Sequence, residues 1–202
     1  MDPRPSFGAK PAVLRCARCG KFVDWEDARL QVVCECRPRL ELPPVLVREA
    51  TDSERPAVLA LFQRDFGRAR IVAFGEPMRL DDAPALVAMM QGDLAGALAY
   101  RLRGDGLQIV ALATDAAWQR SGVGGYLVAE AELLARRLSL RKVIFSTTND
   151  NLPSLYFYQR RGYVITAFVA GALAADNPPP RNLGFGGIPV RDEIRLEKAL
   201  DP

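Results

Sequence analysis

From residue 45 onward the apolar positions fall into short runs separated by turn residues, and the period of each run predicts its element. Residues 45–50 predict a strand. Thr51 and Glu54 have the spacing of a capping box, while Pro56, which lacks an N–H, favours a helix start nearer Ser53. That helix sets Leu59, Phe62 and Phe66 on one face. Residues 67–85 fit neither period. Residues 86–90, 94–102 and 107–114 predict three strands joined by the turns Gln91-Gly92-Asp93 and Arg103-Gly104-Asp105-Gly106, hence an antiparallel meander. After a glycine-rich loop, Leu127, Ala131, Leu134 and Leu138 recur at helical spacing. Residues 142–147 predict a strand, and 153–161 a helix with Pro153 in its first turn, where a missing N–H costs little. Residues 163–169 predict another strand. Residues 170–190 hold four of the fifteen prolines and the pair Gly186-Gly187, which predicts a long loop. Residues 194–197 close with a last strand, and no unit repeats.

Composition narrows the class. The chain has 202 residues, 49% apolar and 25% charged, which suits one ordinary domain with a small appendage and argues against wholesale disorder. The first forty residues carry eight basic and five acidic groups, so they account for the whole net charge of +3. That excess is too mild to argue for nucleic acid by itself. There are no histidines. A Ser-His-Asp hydrolase, a Cys-His protease and a histidine-ligated metal site are thereby excluded, and any general acid or base is a carboxylate, tyrosine, lysine, cysteine or water. The N-terminus opens no apolar signal-like run and no stretch has the length of a membrane span, so the expected setting is cytoplasmic, with no membrane partner.

All four cysteines lie within the first forty residues, as Cys16-x2-Cys19 and, fourteen residues later, Cys34-x-Cys36. Two close pairs separated by a short insert suit a tetrahedral thiolate cage, each pair forming a knuckle that presents two sulfurs. Gly20 stands where such a knuckle tolerates a positive φ. Residues 12–15 and 30–33 predict short strands flanking the pairs. The module resembles a zinc ribbon or rubredoxin-type knuckle, although its second pair has one intervening residue where two are usual. Structural zinc is the expected occupant, iron its competitor in the same cage, and disulfides or four unrelated thiols the plainer alternatives. Four protein ligands would close the site and leave no position for a substrate. The chain is thus expected to divide into residues 1–42 and residues 43–202.

The stretch from Leu112 to Leu127 runs from a strand through Gln119, Arg120, Ser121, Gly122, Val123, Gly124 and Gly125 into a helix. Backbone N–H groups at such a helix start, together with the helix dipole, make an anion site, and glycines let a phosphate approach closely. A Walker A loop would need Lys followed by Ser or Thr after its last glycine, and Gly125-Tyr126 offers neither. A Rossmann fingerprint would need glycine at Leu127. Gln119-x-x-Gly122-x-Gly124 instead resembles the pyrophosphate loop of the GNAT superfamily of acyl-CoA-dependent N-acyltransferases. Further on, Asn151, Ser154, Tyr158, Gly162 and Tyr163 stand at the spacings of the family's second signature. The resemblance covers roughly residues 45–200 and is sharpest over 107–163.

That resemblance implies an α+β fold with a mixed sheet whose two central strands splay apart to admit pantetheine. It implies that Leu112, Ala113 and Thr114 bond the pantetheine and acetyl group through their backbone. It assigns the pyrophosphate to residues 119–125, the pantetheine arm to Asn151, and protonation of the departing thiolate to Tyr158. A backbone N–H near Thr114 would serve the oxyanion. Acetyl-CoA is the implied co-substrate, with a small-molecule or protein amine as acceptor. Some relatives carry a glutamate base on the strand before the second motif, but residues 145–148 hold no carboxylate. Ordered water is one substitute; Asp192 and Glu193 are others if the last loop reaches the site, their plainer reading being solvated charges at a strand start. The competing function is a non-catalytic acyl-CoA-binding adaptor whose ribbon docks on protein, or on nucleic acid through Arg15, Arg18, Lys21, Arg37 and Arg39.

Overall fold

The computed structural model describes residues 14–15, 22–23, 44–119, 121–179 and 182–200. The chain divides into two units, Met1–Leu42 and Pro43–Pro202. In the first, strands β1 (Leu14–Arg15) and β2 (Phe22–Val23) pair antiparallel, Arg15 opposite Phe22. One expected flanking strand is therefore present over its last two residues, paired with Phe22–Val23. Residues 30–33 and the four cysteines lie outside the described residues.

The second unit is a seven-stranded mixed sheet. Its strands are β3 (Val45–Glu49), β6 (Ala85–Met90), β7 (Asp93–Arg103), β8 (Gly106–Thr114), β9 (Lys142–Thr148), β10 (Val164–Val169) and β11 (Glu193–Ala199), in the order β10-β11-β9-β8-β7-β6-β3. Only the β8–β9 pair is parallel. The expected meander is β6-β7-β8, and its first turn has Gln91 and Gly92 both at positive φ (53° and 91°), as a tight hairpin turn requires. Residues 67–85, unassigned from periodicity, form a separate hairpin of β4 (Arg70–Ala73) and β5 (Glu76–Arg79).

Alternation along the strands divides the core between the two faces of the sheet. One cluster joins Leu98, Leu107, Ile109 and Val143 to helix α2 (Val123–Arg137) and to Tyr158 of helix α3 (Leu152–Gln159). The other joins Ala97, Ala99, Ala111 and Ala113 to Val58, Leu61 and Phe62 of helix α1 (Arg55–Phe66). The buried face of α1 thus turns on Val58, Leu61 and Phe62, and Phe66 is exposed at 36%. Leu138 likewise falls just past α2 and is exposed. The capping expectation resolves into two steps: Thr51 begins a 3-10 turn over Asp52–Glu54, and α1 follows at Arg55. No helix among the described residues is long and apolar enough to cross a membrane.

Candidate functional site

The site begins with a failure of strand pairing. β8 and β9 pair through Gly106–Lys142, Leu107–Val143, Gln108–Ile144 and Ile109–Phe145, and no further. At the same point the β7–β8 register shifts: Tyr100 faces Ile109, but its neighbour Ala99 faces Ala111. Val110 is therefore the extra residue of a β-bulge. A bulge bends its strand and reverses which face the following side chains take. Leu107 and Ile109 accordingly pack in the α2 cluster, whereas Ala111 and Ala113 pack in the α1 cluster. Beyond the bulge, residues 111–114 have a ladder partner on the β7 side alone.

The gap opens into a cavity of about 890 Å³, within the size range of small-molecule sites. Its walls include Gly122, Gly124, Phe157 and Tyr158 from the α2–α3 side and Asp65, Phe66 and Ile71 from the α1 side. Since those groups lie on opposite faces of the sheet, the cavity passes through it at the parted strands.

Most of the expected donor-site residues meet here. Leu112, Thr114, Gln119, Gly122, Val123, Gly124, Gly125, Asn151 and Tyr158 all line the cavity. Ala113 is buried against α1, and Ser121 donates its hydroxyl to Trp118 O at 2.5 Å. Arg120 lies outside the described residues. Asp115 accepts the Ala117 N–H at 2.9 Å and pairs with Arg64 at 2.7 Å, which fixes the exit from β8. Gly122 has φ 95°, a left-handed conformation costly for any side chain, and is the N-cap of α2. The N–H groups of Val123 and Gly124, in the first turn of α2, have no intrahelical acceptor and are open to an anion. Asn151 caps α3 by accepting the Ser154 N–H at 3.2 Å, and its amide NH2 makes no hydrogen bond among the described residues.

Tyr158 is 1% exposed, and its hydroxyl has no hydrogen-bond partner among the described residues. Its ring stacks on Phe145 at 3.8 Å between centroids and meets Phe157 and Tyr163 edge-on at 5.0 and 5.2 Å. Burial pushes its phenol well above the usual tyrosine range. Such a hydroxyl stays protonated at neutral pH. A buried polar atom without a partner is costly unless a ligand completes it.

The two carboxylates considered as bases behave differently from either expectation. Both are buried, and neither lines the cavity. Glu193 accepts Phe74 N–H and Ser146 O–H, each at 2.5 Å, and pairs with Arg195 at 2.8 Å. Burial raises its carboxyl pKa, but Arg195 and the Ser146 hydroxyl outweigh that and leave it lowered. Glu193 thus anchors the tip of the β4–β5 hairpin to β9. Asp192 accepts Gly171 N–H at 2.8 Å and pairs with Arg191 at 2.9 Å, so it fastens the long loop.

Two cavity residues escaped sequence reasoning. Asp150 is 6% exposed and accepts Phe185 N–H at 2.9 Å and the Thr148 hydroxyl. Arg161 lays its guanidinium 3.6 Å from the Phe157 ring centroid, beside Gly125. Asp150 was foreshadowed by the polar run Thr148-Asn149-Asp150-Asn151 at a strand end; nothing local marks Arg161.

A parted mixed sheet, a glycine-bearing helix start and a buried orphan tyrosine define an acyl-CoA-binding fold. Residues 47–163, more than half the chain, match the model of the Acetyltransferase (GNAT) family, and the chain belongs to that family. It is an acyl-CoA-dependent N-acetyltransferase by class. YxbD of Bacillus subtilis, an uncharacterized protein, is 30% identical over 148 residues, 71% of this chain and 91% of that one. Two solved structures share the fold. A Bacillus subtilis acetyltransferase in complex with CoA has a TM-score of 0.60 at 23% identity, covering 80% of this chain and all of that one. An IAA acetyltransferase from Bacillus cereus has a TM-score of 0.61 at 21% identity, covering 78% of this chain and all of that one. Among the described residues no group of His, Cys, Asp or Glu is arranged to hold a metal.

Proposed function

We propose that the second unit transfers an acetyl group from acetyl-CoA to an amine entering from the α1 face. The pantetheine arm threads the gap beside Leu112, Ala113 and Thr114, with Asn151 offering its free amide, and residues 119–125 hold the diphosphate. The amine nitrogen attacks the thioester carbonyl and gives up its proton to water in the cavity, while a backbone N–H near Thr114 stabilises the oxyanion. As the C–S bond breaks, Tyr158 protonates the sulfur. The observation that carries this reading is the Tyr158 hydroxyl, buried at the parted strands and without a partner until a ligand arrives. A bound CoA in the Bacillus subtilis structure supports the choice of donor. Calorimetry with acetyl-CoA, followed by thiol release across a panel of primary amines, tests it. Absence of acetyl-CoA binding would refute it.

For the first unit we propose a structural zinc held by Cys16, Cys19, Cys34 and Cys36. The support is their spacing and the pairing of Arg15 with Phe22, which brackets the first cysteine pair. Elemental analysis of protein purified without chelator should give about one zinc per chain, as a closed thiolate cage holds a single ion. Neither zinc nor iron in that sample would end the proposal.

A further inference from the structure

On the α2–α3 side of the cavity, Arg161 is a charged group with no role in the chemistry described above. Arg161 follows α3, lines the cavity, and forms no ion pair among the described residues. Part of it has an evident structural role: Nη1 donates to Phe157 O at 3.1 Å, capping the end of α3, and the guanidinium plane lies on the Phe157 ring. The other amino group turns the opposite way. Nη2 lies 2.5 Å from the point a Cβ on Gly125 would occupy, so a side chain there would expel it. Gly125 belongs to the first turn of α2, a 15-residue helix whose N-terminal end carries partial positive charge. A guanidinium pressed against a helix N-terminus brings two positive ends together. The carboxylate of Glu132 offsets this only from a distance: it attracts the Arg161 charge but is bonded by Lys198 at 2.8 Å and not by Arg161. What stabilises such a juxtaposition is an anion that both ends can bond, and a guanidinium suits phosphate oxygens in particular.

We infer that Arg161 is a phosphate-binding residue for the donor, closing over the glycine loop from the α3 side, and that Gly125 is bare in order to admit it. The ligand class is the diphosphate of an acyl-CoA, so this rests on the donor assignment made above. Arg161 would then separate donors that carry phosphate from those that do not. Sequence reasoning could not reach it, because residues 125 and 161 meet only through the packing of α3 on α2.

The test compares acetyl-CoA with S-acetylpantetheine, which keeps the thioester arm and lacks every phosphate. Calorimetry reads the first and ligand-observed NMR the second, on the full chain. Arg161→Met keeps the bulk over Phe157 and removes the charge. It should weaken acetyl-CoA tenfold or more and leave S-acetylpantetheine within twofold. Gly125→Ala should also weaken acetyl-CoA, and the double variant should be no worse than the weaker-binding single variant. Thermal midpoints confirm that each variant is folded. Acetyl-CoA affinity within twofold of the parent in Arg161→Met would overturn the inference. So would an equal loss for both donors, since that marks a packing role alone. A parent protein that binds no acetyl-CoA fails earlier, on the donor assignment itself.

Discussion

β8 and β9 behave as two different structures along one pair of strands. Over their first four paired positions they form a sealed parallel ladder, with Leu107, Ile109 and Val143 fully buried and Phe145 nearly so. Past the Val110 bulge they separate, and the same two strands become cavity wall. The sealed half satisfies its backbone internally and meets the cavity only at its last position, Phe145. The parted half withholds that pairing, and the neighbouring groups are unfinished too: the Tyr158 hydroxyl lacks a partner, while buried Glu193 just outside the cavity has three. The contrast teaches that substitutions in the sealed half should cost stability, and those in the parted half should cost turnover.

Tyr158→Phe is the sharpest way to break that division. It removes an orphaned hydroxyl while keeping the stacked ring, so the thermal midpoint should hold or rise and acetyl-CoA affinity should stay within about twofold. Turnover, read as thiol release, should fall about a hundredfold or more, the usual scale of a general acid. Unchanged turnover would remove Tyr158 from the chemistry. The mirror experiment is Ile109→Ala. Truncating a fully buried side chain in the sealed half should cost about 2–5 kcal/mol by denaturant melt. Donor affinity of the folded fraction should not change.

Glu193→Gln tests the group that sits between the two halves. Its carboxylate neutralises a partly exposed Arg195 whose Nε has no partner among the described residues, and it holds the hairpin tip through Phe74. Loss of the charge should destabilise by about 1–3 kcal/mol, as for buried hydrogen-bonding groups left unsatisfied. The pH sign follows from its lowered pKa. A depressed carboxyl contributes stability that is present above its unfolded value and is lost as pH falls through the folded one. The parent should therefore lose more midpoint than Glu193→Gln on acidification below the ordinary glutamate range. Equal acid sensitivity of the two proteins would show that Glu193 contributes nothing to it.

Legibility in the sequence followed the range of the interactions. The meander was readable because its turns carry their own chemistry in Gln91-Gly92 and Gly104. The glycine loop and the Asn151–Tyr163 signature were readable because family spacing preserves them. The β4–β5 hairpin was not: it has four residues a side, and Phe74-Gly75 at its turn gives a weak local signal. Phe66 and Leu138 satisfy helical periodicity yet fall at helix ends beyond the sheet's cover. Asp192 and Glu193 looked solvated because their partners are distant in the chain: Gly171, Ser146 and Phe74. Burial of a charge depends on such partners, which no local window contains.

The smallest expected effect probes the loop over residues 182–190, whose Leu183 and Val190 line the cavity. Residues 182–190 fold back on themselves, with Val190 N–H donating to Asn182 O at 2.7 Å and Gly184 N–H to Ile188 O at 2.9 Å. Asn149 fastens the far end: its side-chain oxygen accepts the N–H groups of Arg191 and Asp192, each at 3.0 Å, and its amide donates to Pro189 O at 2.9 Å. Asp150 fastens the near end at Phe185. Gly184 is what allows this, since a Cβ there would stand 1.9 Å from Asp150 Oδ2 and 2.7 Å from Val190 Cγ2. Gly184→Ala must push this loop off Asp150 or move the buried carboxylate, which also holds Phe185 N–H and the Thr148 hydroxyl. The cost should be about 1–3 kcal/mol, as for overpacking in a closed site. Leu183 and Val190 line the cavity from this loop, so the KM for an amine should rise while acetyl-CoA affinity holds. A KM unchanged in a destabilised Gly184→Ala protein would mean that this wall does not meet the acceptor, and the amine would have to enter past α1 and β4 alone.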